Sequence, residues 1–410
     1  MLNLSINLRR SSSLERIFLG FLLFYLSNSI ADIYPISKII TKSITLFSLF
    51  LIIQGYIKVK KRLTYGLFSQ HWIRFYTIYS SIIGFLMLYG YLQTTAWYTL
   101  LLNDAIWIYF LPFLTTIDFS KYAWKSLAYK YAWLSLIFAF FFCLINYQAL
   151  FINHVTIENL NDGNAQSISI AVLPITYMLP IFPFWNYAIK EKKILRFILY
   201  TTLILSAYAS IISGKRTSFY ICMYYIVAFI GVYMKSFNKG LGTKLIFLLI
   251  IIFIANYVYQ SSIFDYLNSR INIQNRDTLI ADYNKSMSIS NWLFGKGPGG
   301  GYLTYDFFAG KIINRTFIEN AFLNIILKGG LFLLVPYIIL ILKTIKKLLK
   351  QNFHSNIYLI IYLIGNIFSM GSLMPQISLT YFILWIIISE TDSKIIHFKY
   401  QSQNENYYNK

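Results

Sequence analysis

The chain has 410 residues, of which 57% are hydrophobic and only 12% charged, and its mean hydropathy is +0.56. A soluble core cannot absorb that much apolar surface, whereas a bilayer can. The formal net charge of +21 does not point to nucleic acid, because the Lys and Arg residues cluster between apolar runs, where they read as topology signals.

Apolar runs long enough to cross a bilayer fall at roughly 17–36, 40–57, 75–93, 97–117, 131–150, 168–189, 196–213, 217–234, 245–263, 318–342, 357–372 and 375–390. The expected fold is therefore all-α, a polytopic integral membrane protein with about 12 transmembrane helices and one long outer loop. Basic segments such as "KVKKRL" (58–63), "KEKKILR" (190–196) and "KTIKKLLK" (343–350) alternate with poorly charged ones. The positive-inside bias puts both termini in the cytoplasm. "SIAD" (29–32) has small residues suited to signal cleavage, but cleavage there leaves every later segment facing the same way. Cys143 and Cys222 fall inside predicted spans, so no disulfide framework is expected. The chain divides into 1–263 (nine spans), 264–317 (the long outer loop), 318–390 (three spans) and 391–410 (a cytoplasmic tail).

Three outer segments carry chemistry. The loop 151–166, "FINHVTIENLNDGNAQ", has no Lys or Arg, while "SGKRTS" (213–218) puts Lys215 and Arg216 together in a tight turn on the side that the topology rule keeps poor in cations. Lipid phosphate or a neighbouring carboxylate is one explanation; a phosphorylated substrate gripped by an Arg fork is the other. The long loop holds "NWLFGKGPGGGYLTYDFFAG" (291–310). It is not a Walker loop, since Gly297 and Pro298 follow Lys296 where Ser or Thr is needed. Gly299, Gly300 and Gly301 suit either an ordinary flexible loop or a mobile substrate flap.

"RTFIENAFLNIILKGGLF" (315–332) opens the tenth run, and Asn320, Asn324 and Lys328 recur every fourth residue on one expected helix face. A polar stripe entering a membrane faces a cavity or another helix. Glu319 stands beside the stripe, with a salt bridge to Arg315 as its structural role. Asp104 lies about 10 Å inside the fourth run at helical rise. It is either a structural partner for Lys215, Arg216 or Lys328, or a catalytic carboxylate. The four histidines are scattered, and no metal or cofactor is expected.

Together, the dozen runs, the Gly-Lys-Arg-Thr turn, "WLFGKGPGG" and "IENAFLNIILKGGLF" resemble the O-antigen polymerases (Wzy type) of the O-antigen polymerase and ligase superfamily. At motif level the resemblance covers about 205–335. It implies an inverting, metal-independent membrane glycosyltransferase of the bacterial inner membrane, working in polysaccharide and lipopolysaccharide biosynthesis, with its long loop periplasmic. The growing chain would pass from undecaprenyl pyrophosphate to a lipid-linked repeat unit. Carried onto this sequence, Lys215 and Arg216 would neutralise pyrophosphate, with Arg276 and Arg315 assisting. Asn320, Asn324 and Lys328 would line the same substrate site. Glu319 would take the acceptor hydroxyl's proton, with Asp104 as the second candidate catalytic group. The implied partners are the undecaprenyl-pyrophosphate-linked oligosaccharide, the lipid bilayer, and a chain-length regulator with other polysaccharide-assembly proteins; nucleic acid is not among them. Two departures stand out: no outer-loop Arg is followed by Gly at the spacing some polymerases show, and Glu319 stands where the ligase branch tends to have His. A repeat-unit flippase, an O-antigen ligase and a scaffold without chemistry are the competing readings.

Overall fold

The computed structural model describes residues 8–33, 38–60, 71–94, 108–117, 119, 123–146, 173–212, 216–236, 276–297, 300–306, 311–315, 318, 320–351, 353–369 and 378–391. These residues are mostly helical. The long helices are α1 (Leu8–Ile33), α2 (Lys38–Lys60), α3 (His71–Thr94), α4 (Trp124–Ile145), α5 (Lys193–Ile212) and α6 (Arg216–Ser236). After them come the short α7 (Arg276–Ser286) and α8 (Ile289–Phe294), then a hairpin of β1 (Tyr302–Asp306) and β2 (Lys311–Arg315). The chain continues through α9 (Ala321–Gln351), α10 (Phe353–Ser369) and α11 (Leu379–Thr391). Among the described residues, three helices are long and apolar enough to cross a membrane, at Ile39–Val59, Trp124–Ile145 and Phe322–Gln351. Four shorter apolar helices accompany them, at Ile73–Leu86, Ser218–Tyr233, Asn356–Ile367 and Leu379–Thr391.

The apolar residues sort by face. On α2, Ile40, Ile44, Phe47, Phe50 and Ile57 are exposed, while Thr41, Thr45 and Ser48 are buried against α1. Small residues there let two backbones approach closely, as membrane helices need when water supplies no driving force. Ser27 Oγ and Thr45 Oγ1 lie 2.9 Å apart. A side chain at Gly55 would begin 2.7 Å from the carbonyl oxygen of Ser13. Gly55→Leu is accordingly expected to force α1 from α2 and cost about 1–3 kcal/mol, read as a lowered denaturation midpoint of the purified protein in detergent.

Helix α11 is buried on every side, as a helix apolar all round must be. Phe382 meets Phe18 and Phe21 of α1 at ring separations of 4.7 and 4.4 Å, and Trp385 meets Tyr76 of α3 and Tyr337 of α9. Its polar groups are used too: Ser389 Oγ donates to Ile117 O, and Thr380 O accepts from the Tyr362 hydroxyl. One of the two shortest expected runs is thus buried in the bundle.

Several expectations change in detail. The described part of the run at 97–117 is a 3₁₀ helix, Ile108–Thr116, with Pro112 inside. In the run at 168–189, a 3₁₀ segment, Leu179–Phe184, carries Pro180 and Pro183. Proline lacks the N–H that an α-helix needs and clashes with the preceding turn, which accounts for both tightened segments. The run at 245–263 lies outside the described residues. The long loop is not irregular throughout, since it carries α7, α8 and the antiparallel hairpin, with Tyr302 opposite Arg315 and Asp306 opposite Lys311.

Candidate functional site

The site is built around a break in α9. Gly330 has φ 67° and ψ −170°, a backbone region that is essentially restricted to glycine. A side chain there would start 2.1 Å from the carbonyl oxygen of Leu293, so α8 sits directly against the break. Interrupting a helix frees carbonyls that would otherwise bond four residues on. Two of these are taken up from outside the helix. Leu327 O accepts the Lys296 backbone N–H at 2.7 Å, and Gly329 O accepts the Tyr79 hydroxyl of α3 at 3.0 Å. Tyr79→Phe leaves Gly329 O without that donor and is expected to cost about 1–3 kcal/mol, measured as a lower denaturation midpoint in detergent.

The segment before the break is held by local chemistry. Ser288 caps α8, its Oγ accepting from Asn291 N at 3.2 Å, and α8 ends where Gly295 turns to φ 80°. Phe294 then stacks on Phe332 of α9, with ring centroids 5.0 Å apart and planes 5° from parallel. Tyr283 of α7 anchors the platform beneath. Its ring meets Trp292 at 5.9 Å and Tyr302 at 5.7 Å edge to face, and its hydroxyl donates to Leu323 O at 3.2 Å. Burial, helped by the neighbouring Tyr302, raises the phenol's pKa, so Tyr283 stays a neutral donor. Thr304 Oγ1 donates to Asp282 at 2.9 Å and ties the hairpin to α7.

Two lysines converge on this turn. Lys296 Nζ donates to Gly301 O at 3.0 Å, and the buried Lys328 Nζ donates to Gly300 O at 3.3 Å. Because their acceptors are successive carbonyls, the two ammonium groups share one small region. An anion bound at this turn would meet both ammonium groups. Each ammonium carries three N–H donors, so the Lys296 bond to Gly301 uses only one of its three. One helical turn before Lys328, Asn324 Oδ1 is buried with no hydrogen-bond partner among the described residues. Such an acceptor calls for a donor such as a hydroxyl. The turn therefore offers cations for an anion beside an acceptor for a hydroxyl.

Of the residues singled out in the sequence, Asn324, Lys328, Gly300 and Gly301 come together here. Arg315 ends β2, and its carbonyl lies 2.8 Å from where a side chain on Gly301 would begin. Asn320 caps α9, its Oδ1 accepting from Phe322 N at 3.0 Å and Leu323 N at 3.3 Å. The stripe of three is thus a cap followed by two helical residues. Arg315 belongs to a strand and α9 starts at Ala321, and the expected pairing of Arg315 with Glu319 lies outside the described residues because Glu319 does. Asp104, Lys215, Gly299 and Glu319 lie outside the described residues. Of Arg216 and Arg276 only the backbone is described, at the first positions of α6 and α7.

Comparison of the chain with protein-family models, with curated proteins and with solved structures gave no match.

Sequence reasoning gave Lys296 no role beyond ruling out a Walker loop, and it passed over Tyr79. A signal for Lys296 was present, because both lysines adjoin glycines, in "GKG" (295–297) and "KGG" (328–330). That repetition marks two places where backbone and ammonium group approach closely. No local pattern distinguishes Tyr79 from the other tyrosines of α3.

Proposed function

We propose that the protein is a surface-polysaccharide polymerase of the O-antigen type. It transfers a growing chain from undecaprenyl pyrophosphate to a new lipid-linked repeat unit by inverting, metal-independent glycosyl transfer. In this reading the chain crosses the bacterial inner membrane about twelve times, keeps both termini in the cytoplasm and works at the periplasmic face. One observation carries the proposal. The two stretches that bear the resemblance, "WLFGKGPGG" and "NIILKGG", pack against each other and bring Lys296, Lys328 and Asn324 into one region. Nothing in the resemblance required that juxtaposition.

The chemistry asked of such a site matches what the residues offer. The bond between the anomeric carbon and the pyrophosphate oxygen breaks as the acceptor hydroxyl oxygen attacks from the opposite face. The hydroxyl proton passes to a carboxylate, for which Glu319 is the candidate, and the pyrophosphate departs on its lipid. Pyrophosphate is already a good leaving group, so positioning and charge stabilisation dominate. Lys296 and Lys328 supply cations for the departing charge, and Asn324 accepts from a sugar hydroxyl. Arg216, Lys215, Arg276 and Arg315 assist with the phosphates.

A gel of surface polysaccharide from a strain lacking the gene, complemented with wild type or Arg216→Ala, tests this reading. A polymerase predicts that the strain loses its ladder but keeps one repeat unit on the lipid core, that wild type restores the ladder, and that Arg216→Ala fails to. No attached repeat overturns the proposal in favour of a flippase or a ligase, and polymer accumulating on undecaprenyl pyrophosphate singles out the ligase.

A further inference from the structure

Helices α3 and α9 run antiparallel, and their contacts fix the depth of everything packed between them. Tyr76 lies beside Tyr337 and Tyr79 beside Phe332, and a side chain on Gly329 would start 2.6 Å from Ile83. The break in α9 therefore stands level with Tyr79 to Ile83, in the interior of the apolar stretch Ile73–Leu86. At helical rise these residues lie about 8 to 14 Å beyond Arg74 along α3. The end of α8 stands at the same level, since Leu293 O abuts Gly330, and the Tyr79 hydroxyl that donates to Gly329 O also reaches Phe294 O at 3.4 Å.

The outer face at this level is apolar. On α9, Phe332, Val335, Leu342 and Leu349 are all exposed, the last three at seven-residue spacing, so they form one stripe along a candidate membrane span. Phe294, 56% exposed, stacks on Phe332 and extends that stripe, and Leu293 beside it is 38% exposed. Among the described residues of the tip, three backbone N–H groups are bonded within the protein. Gly295 N donates to Asn291 O at 2.8 Å, Lys296 N to Leu327 O at 2.7 Å and Gly300 N to Gly297 O at 3.1 Å. Irregular backbone survives at membrane depth where it is packed within protein or lines a water-filled cavity.

We infer that α8 and the glycine-lysine turn after it form a re-entrant segment. Leu293 and Phe294 lie against lipid acyl chains beside Phe332, and the Lys296–Lys328 pair sits below the membrane surface. The inference rests on α3 and α9 being membrane helices and not on the polymerase reading, so each can fail without the other.

The test uses the full wild-type chain in phosphatidylcholine vesicles that contain a phosphatidylcholine with a diazirine in its acyl chain. Photolysis followed by peptide mass spectrometry maps lipid adducts, and hydroxyl-radical oxidation maps contact with water. The inference predicts adducts on Leu293 and Phe294 as well as on Phe332 and Val335, with Leu293 and Phe294 protected from oxidation. Adducts on Phe332 and Val335 with oxidation and no adducts at Leu293 and Phe294 would overturn it. Neither label at those two residues would also overturn it, since protein would then cover them.

Discussion

Gly330→Ala is expected to give protein that reaches the membrane poorly and unfolds well below wild type. Two costs combine at this position. Any L-residue forced into the glycine-only region that Gly330 occupies costs about 1–3 kcal/mol. The new methyl carbon would also start 2.1 Å from Leu293 O, an overlap with backbone that no side-chain rotation relieves. Overpacking of this kind adds about 1–3 kcal/mol. Displacing α8 to make room breaks the Lys296 N–H bond to Leu327 O, so the damage spreads from the break to the turn. The check is membrane abundance and denaturation midpoint in detergent, with Gly231→Ala as the control. Gly231 is an exposed helical glycine with open space where a side chain would begin, and alanine there should be tolerated.

On the proposed polymerase reading, Lys328→Met is expected to lower the rate of polymer formation about 100-fold or more, while most of the protein stays folded. Methionine keeps much of the apolar stem but removes the charge, so lost packing is separated from lost electrostatics. Lys296→Met is expected to act in the same direction. If the two ammonium groups stabilise one departing anion, the double variant should lose less than the sum of the two single losses, because they act as a unit. Initial rates of chain extension, normalised to the folded fraction from size-exclusion chromatography, check this. A rate unchanged in both single variants would remove the lysine pair from the mechanism.

Much of the fold was legible because hydropathy is a long-range average. The runs at 40–57 and 217–234 match α2 and α6 closely, since a bilayer or a bundle core asks only for continuous apolar length, whereas α1 starts at Leu8, well before its run at 17–36. The departures arise where single residues overrule the average. Pro112 and the prolines of Leu179–Phe184 tighten their segments, and Gly330 breaks α9 while leaving its hydropathy intact. The hairpin was missed because its period-2 pattern, with Tyr302 and Thr304 buried and Leu303 and Tyr305 exposed, spans only five residues. In the site, Asn324 and Lys328 could be read from their spacing on one helix. Their meeting with Lys296 could not, because the glycines that permit close approach do not say which backbone approaches.

Purified protein in vesicles supplied with undecaprenyl-pyrophosphate-linked repeat units, without nucleotide and in the presence of a metal chelator, gives the decisive measurement. A polymerase of the proposed kind predicts a ladder of lipid-linked products that grows with time and is strongly reduced by Lys328→Met. Repeat units that remain single while the wild-type protein is folded in the vesicles would contradict it.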